Sequence, residues 1–216
     1  MSVLLPFAFV DTRRPISPLV VATDASGASS VDAGGYAVVQ RCAPLEQVRR
    51  AAARGEKWRY HVEDAIAARA HALKLESPQA EDGKRTVRKG DTNFEQAPPV
   101  ILGDTDSDWQ LRVRGRFAKA EDILRLEGRA LIVGVRHLLR NTQLRGHRLL
   151  FLNDNMALTL ALGKGRSTHF VLNQTCRELL ALSIAGDLSV AVRWIPSEQN
   201  PADKGSRLPG GPPHAK

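Results

Sequence analysis

The chain has 216 residues, 43% of them hydrophobic and 25% charged, with 31 Lys and Arg against 23 Asp and Glu and a formal net charge of +8. That length buries one sizeable core and is short for two, and no apolar run approaches the roughly 20 residues of a membrane span. The basic excess, dominated by arginine, suits a polyanionic partner, although charge alone fits a merely basic protein as well.

Residues 3–10 are apolar, but they lack a basic flank and contain Pro6, so they read as a buried extended segment and not as a signal peptide. Residues 19–24 form a short buried strand that ends in Asp24. The small, Gly/Ser-rich stretch 25–35 marks a turn, and residues 35–40 give a second strand, so the two make a hairpin. Residues 43–108 change character and read as an insertion between the second and third core strands. Its Ala/Arg/Glu-rich part, 45–75, predicts one or two helices. Its polar part, 76–99, carries Lys84, Arg85, Arg88 and Lys89 and predicts a flexible loop.

Leu111, Val113, Gly115 and Phe117 then alternate with Arg112, Arg114 and Arg116, predicting a third strand with one apolar and one basic face. Those arginines fit a solvated face and a nucleic-acid contact equally. Over 119–140, Ile123, Leu126, Ala130, Leu131, Gly134 and Leu138 recur at helical spacing. Residues 148–153 form a fourth strand, again ending in a carboxylate, Asp154. Helices are expected over about 155–163 and 168–185, a last strand over 188–195, a loop over 196–201 and a short helix from Ala202. The tail 208–216 is expected to be flexible. The whole is a single mixed α/β domain over 1–216. Cys42 and Cys176 are far apart and lack metal-ligand spacing, so both read as buried thiols of a reducing compartment.

The carboxylates carry the chemistry. Asp24 and Asp154 each close a run of Leu, Val or Phe, and ligands bind beyond the carboxyl ends of strands in such sheets. If those strands are parallel neighbours, the two aspartates stand side by side and repel unless a cation lies between them. Glu127 lies on the apolar stripe of its helix, where it needs a metal or an arginine partner. Asp203, after a proline loop, reads equally as a helix-start residue. Together, four carboxylates suit Mg²⁺, which prefers oxygen ligands and keeps several waters. Two such ions can stabilise both the attacking and the leaving oxygen of a phosphodiester displacement. No His/Cys zinc cluster and no phosphate loop is present: Gly163 to Ser167 departs from that motif in length and position.

These segments resemble the ribonuclease H domain of retrotransposon and reverse-transcriptase polyproteins. Thr23-Asp24-Ala25-Ser26 with Gly34 to Val39 is similar to the family's opening hairpin, and Glu127 to Ala130 to its second acidic position. Asn153-Asp154-Asn155 with Ala157 and Lys164 to Ser167 resembles the third-acid segment. Trp194 to Ser197 with Asn200-Pro201-Ala202-Asp203, Ser206 and Arg207 resembles the last-acid segment.

The resemblance implies a ribonuclease H-like fold, an α/β five-stranded mixed sheet of order 3-2-1-4-5 flanked by helices. It implies Asp24, Glu127, Asp154 and Asp203 as catalytic, metal-holding residues, with Asp24 shared between two Mg²⁺ ions and Mn²⁺ able to substitute. The expected reaction is hydrolysis of the RNA strand of an RNA/DNA hybrid. Ser26, Asn155, Lys164 and Arg166 are candidates for nucleic-acid binding. The reverse-transcriptase and integrase portions of a parent polyprotein are the expected partners. The expected setting is intracellular, with nucleus and cytoplasm both open. Two other readings stay in view: an enzyme of the same fold acting on DNA, by strand transfer or on branched DNA, and a remnant domain that binds nucleic acid without cutting it.

Overall fold

The computed structural model describes residues 14–27, 33–53, 55–56, 99–100, 102 and 108–207. The expectations for 3–10, for most of the insertion with its basic cluster and for the tail 208–216 lie outside the described residues.

In chain order the elements are β1 (Ile16–Ala25), β2 (Gly35–Cys42), α1 (Leu45–Ala52), β3 (Gln110–Arg116), α2 (Ile123–Leu138), β4 (Arg148–Asn153), α3 (Met156–Lys164), α4 (Phe170–Gly186), β5 (Ser189–Trp194) and α5 (Asp203–Arg207). The five strands pair in the order β3-β2-β1-β4-β5. β2 runs antiparallel to both of its neighbours, β3 and β1, whereas β1, β4 and β5 are mutually parallel. This is the five-stranded mixed sheet of order 3-2-1-4-5, flanked by helices, that the resemblance implies.

Helices on both faces explain why the central strands read as continuous apolar runs. Val20 and Ala22 point into one core with Val48, Ala51 and Ala52 of α1 and with Leu102 and Ala202. Val21 and Phe151 point into the other, with Leu131, Val135 and Leu138 of α2 and Leu179 of α4. Val20, Val21, Ala22, Leu149, Leu150 and Phe151 are wholly buried, and each of the larger ones contributes about 1.5–3 kcal/mol. The start of the insertion is therefore part of the core, because α1 covers one face of the sheet.

Two details differ from the sequence reading. The single apolar face expected for β3 is split. Val38 pairs with Val113 but Val39 with Leu111, which leaves Arg112 as the extra residue of a bulge and turns Leu111 to the opposite face. Leu111 is 45% exposed, whereas Phe117 is buried with its ring 5.1 Å from that of Tyr36. Second, α2 starts at Ile123 and not near 119, because the Asp122 side chain accepts from the Leu124 N–H and caps it there. Of the two cysteines, both free, Cys176 is buried as expected, but Cys42, the last residue of β2, is exposed.

Candidate metal centre

The sheet order brings the first three carboxylates together. β1 and β4 are parallel neighbours, so Asp24, near the end of β1, and Asp154, just past the end of β4, face each other beyond the same edge. α2 packs across β1 and β2 and lowers Glu127 onto them. One carboxylate oxygen from each of Asp24, Glu127 and Asp154 lies within 4.8 Å of the others. Asp24 and Glu127 are 4% and 5% exposed, and Asp154 is half-buried.

Asparagines and a serine hold them in place. Asn153 Nδ2 donates to Glu127 Oε2 at 3.0 Å, so the buried glutamate is met by an amide and not by the arginine its position on the stripe also allowed. Asn200 Nδ2 donates to Asp24 Oδ1 at 3.1 Å, and Ser206 Oγ donates to Asp24 Oδ2. The Asp154 carbonyl accepts from Trp194 Nε1 at 2.9 Å. Ser206 reaches Asp24 because α5 lies directly on β2: a Cβ at Gly205 would stand 2.8 Å from that of Ala37, and one at Gly35 would collide with the Ser206 carbonyl.

The electrostatics is that of an anion cluster short of a cation. Burial, joined by the charges of Asp24 and Asp154, pushes Glu127 up to about 9. Burial also pushes Asp24 up to about 6, against the Ser206 bond and together with the charges of Asp154 and Asp203. Asp154 is raised, chiefly by burial, and hydrogen bonding from Ser197 and Asn200 opposes the rise. Its Oδ1 is nonetheless buried with no hydrogen-bond partner. Buried oxygens are normally satisfied. An orphaned carboxylate oxygen facing two other carboxylates fits a hard divalent cation, for which an all-oxygen donor set is suited.

Asp203, the first residue of α5, stands apart from this trio. Its charge acts on both Asp24 and Asp154, but its Oδ1 is engaged by Arg207. The other candidates are dispersed. Ser26 Oγ donates to the Ser206 carbonyl at 3.0 Å and accepts from the Gly35 N–H at 2.7 Å, closing the hairpin onto α5. Asn155 caps α3, its Oδ1 accepting from the Leu158 N–H at 3.0 Å. Lys164, the last residue of α3, and Arg166, just past it, are exposed, roughly 12 Å along the axis from Asn155 by helical rise.

Sequence reasoning assigned no role to Asn153, Asn200 or Ser206. Asn153 had a usable signal, a polar residue inside a buried Leu/Phe strand. Asn200 and Ser206 had none beyond their motif, because short polar residues around a proline loop read as caps.

No protein-family model and no curated protein matches the chain. Among solved structures, LC11-RNase H1 in complex with an RNA/DNA hybrid is similar at 10% identity, covering 87% of this chain and 92% of its own, with a TM-score of 0.46. RNase H1 from the halophilic archaeon Halobacterium salinarum NRC-1 is similar at 11% identity, covering 87% and 93%, with a TM-score of 0.43. The N-terminal RNase H domain of Rv2228c from Mycobacterium tuberculosis, solved as a fusion with maltose-binding protein, is similar at 12% identity, covering 88% and 91%, with a TM-score of 0.46. At identities this low, the chemistry of the site is carried by its own carboxylates.

Proposed function

We propose that the chain is a divalent-metal-dependent endonuclease that hydrolyses the RNA strand of RNA/DNA hybrids. The observation that carries this reading is the convergence of Asp24, Glu127 and Asp154 within 4.8 Å, with an unpartnered Asp154 Oδ1 among them. The sheet order that puts them there supports it.

Asp24, Glu127 and Asp154 would hold one Mg²⁺, and Asp24 with Asp203 a second; Mn²⁺ would serve in the same positions. Ions bound there would supply Lewis acidity and charge neutralisation for in-line phosphodiester displacement. The chain's own contribution is to aim the carboxylates, whose ionisation a bound cation would favour. Asn153 orients Glu127, while Asn200 and Ser206 orient Asp24. The hybrid would be recognised by backbone shape and 2′-hydroxyls, with Ser26 and Asn155 beside the acids and Lys164 and Arg166 farther along the backbone. Residues 194–207 support a retroelement origin, with the reverse-transcriptase and integrase portions of a parent polyprotein as partners.

The test is cleavage of a hybrid labelled on either strand, in Mg²⁺ or Mn²⁺, with Asp154→Asn protein beside the wild type. The expected result is metal-dependent cutting of the RNA strand alone, reduced at least about 100-fold in the variant, as for loss of one main electrostatic group. Binding without cutting in either metal would favour the remnant domain, and cutting of DNA strands would favour the DNA-acting reading.

A further inference from the structure

One oxygen of the fourth acid, Asp203, is already engaged. Arg207 lies one turn after Asp203 on α5, and its Nε and Nη2 both donate to the same oxygen, Asp203 Oδ1, at 2.9 and 2.6 Å. Asp203 nevertheless faces the cluster, since its charge is felt by Asp24 and Asp154, and Arg207 is itself drawn by both. The side chains of Arg207 and Asp203 are 69% and 28% exposed. An ion pair this open to water is weak, whereas a divalent ion beside several carboxylates carries twice the charge of a guanidinium. Arg207 holds one of the two oxygens of Asp203, and its positive charge opposes a second cation on the same carboxylate.

We propose that Arg207 is a built-in counter-cation for the fourth acid, which a second divalent ion must displace from Asp203 for the site to fill. This rests on the metal-dependent reading above. One ion can settle on Asp24, Glu127 and Asp154 with Arg207 in place. A second exchanges with the guanidinium, so Arg207 sets the metal concentration at which both positions are occupied. The opposite role, in which Arg207 positions Asp203 to receive the ion, predicts the opposite sign on removal.

Calorimetric titration of the full chain with MnCl₂, with no nucleic acid present, separates the two. Wild type is compared with Arg207→Gln, which removes the charge, and Arg207→Lys, which keeps the charge but not the two-donor fork. The expected result is two binding events in wild type, with the weaker tightened roughly two- to fivefold in Arg207→Gln. Arg207→Lys should fall between, and the tighter event should change less than twofold. A weaker event that is unchanged or weakened in Arg207→Gln overturns the proposal, as does a single event in all three proteins. Absence of any Mn²⁺ binding in wild type instead overturns the metal reading itself.

Discussion

A carboxyl group that has lost its water and gained two neighbours of its own sign resists ionisation, and Glu127 is the extreme case in this chain. Its folded value of about 9 lies well above the 4.5 of an ordinary glutamate, and that of Asp24, about 6, lies above 3.8. The sign of the consequence is fixed. Between about pH 4.5 and 9 the folded chain holds protons at Glu127 that the unfolded chain has released, so metal-free stability falls as pH rises through that window. Metal-free protein should therefore melt at a lower temperature at pH 8.5 than at pH 5, and Mn²⁺ should restore more at the higher pH. Glu127→Gln keeps an acceptor for Asn153 and removes the charge. It should raise metal-free stability at pH 8 by about 1–3 kcal/mol, or roughly 2–4 °C in melting temperature per kcal/mol, while abolishing cleavage. Thermal melts with and without a chelator read both, and a metal-free melting temperature that climbs with pH would sink the argument.

At the scale of elements, the edge strand β5 is closed from the side of the insertion. Arg193 Nε donates to Glu56 Oε1 at 2.6 Å, and Arg193 Nη1 donates to the Ala51 carbonyl at 2.5 Å. The Trp194 N–H donates to the same Glu56 oxygen at 3.2 Å. Glu56 and Arg193 are each 1% exposed. The pair thus satisfies one N–H of a strand that has no further strand beside it among the described residues and steadies Trp194, whose indole holds the Asp154 carbonyl. Removing one partner of a buried ion pair costs about 3–5 kcal/mol, because the other charge is left unpaired. Glu56→Ala should cost that much in urea unfolding, whereas Glu56→Leu with Arg193→Met should recover most of it. With Arg193→Met measured alone as well, a double-variant loss equal to the sum of the single losses would show that the charges are not coupled.

Little of this brace was legible in the sequence, and the contrast with the acids is physical. Asp24 and Asp154 were readable because a carboxylate after an apolar run sits at a strand end whatever its neighbours. Glu127 was readable because helical periodicity places it on the core side. Glu56 lies among many Glu, Arg and Ala residues of amphipathic character, where nothing local separates a buried charge from a solvated one. The β3 bulge was equally silent, since period-2 alternation continues through Arg112 and only pairing with β2 reveals the slip. The Arg207 partner of Asp203 was hidden for a related reason. Its spacing to Arg207 is the ordinary i, i+4 of a helix, and whether that pair closes depends on where α5 lies.

For the whole molecule, the sheet order sets the acids between two basic flanks. Asp24 pairs with Ala37 and Ala37 with Arg114, so Asp24 and Arg114 share a face and a row, two strands and roughly 10 Å apart by sheet spacing. Arg114 is exposed. On the other side of the acids, Lys164, the last residue of α3, and Arg166, just past it, are exposed. A polyanion running from the acids toward Arg114 would pass over α5, whose Gly205 covers Ala37 between them, and one continuing along α3 would meet Lys164 and Arg166. With about four phosphates neutralised, hybrid affinity should fall by roughly two decades between 50 and 200 mM salt. Arg114→Ala should weaken binding alike for all sequences and reduce the slope of log affinity against log salt by about one. The same holds independently for Lys164→Ala if the backbone follows both flanks. Fluorescence anisotropy with Asp154→Asn protein, in which cleavage is expected to be suppressed, measures each slope. A slope lowered by Arg114→Ala but not by Lys164→Ala would confine the hybrid to the β3 side, and the reverse would confine it to α3. If neither changes the slope, the +8 charge acts only as a diffuse field and the arginines of β3 are a solvated face.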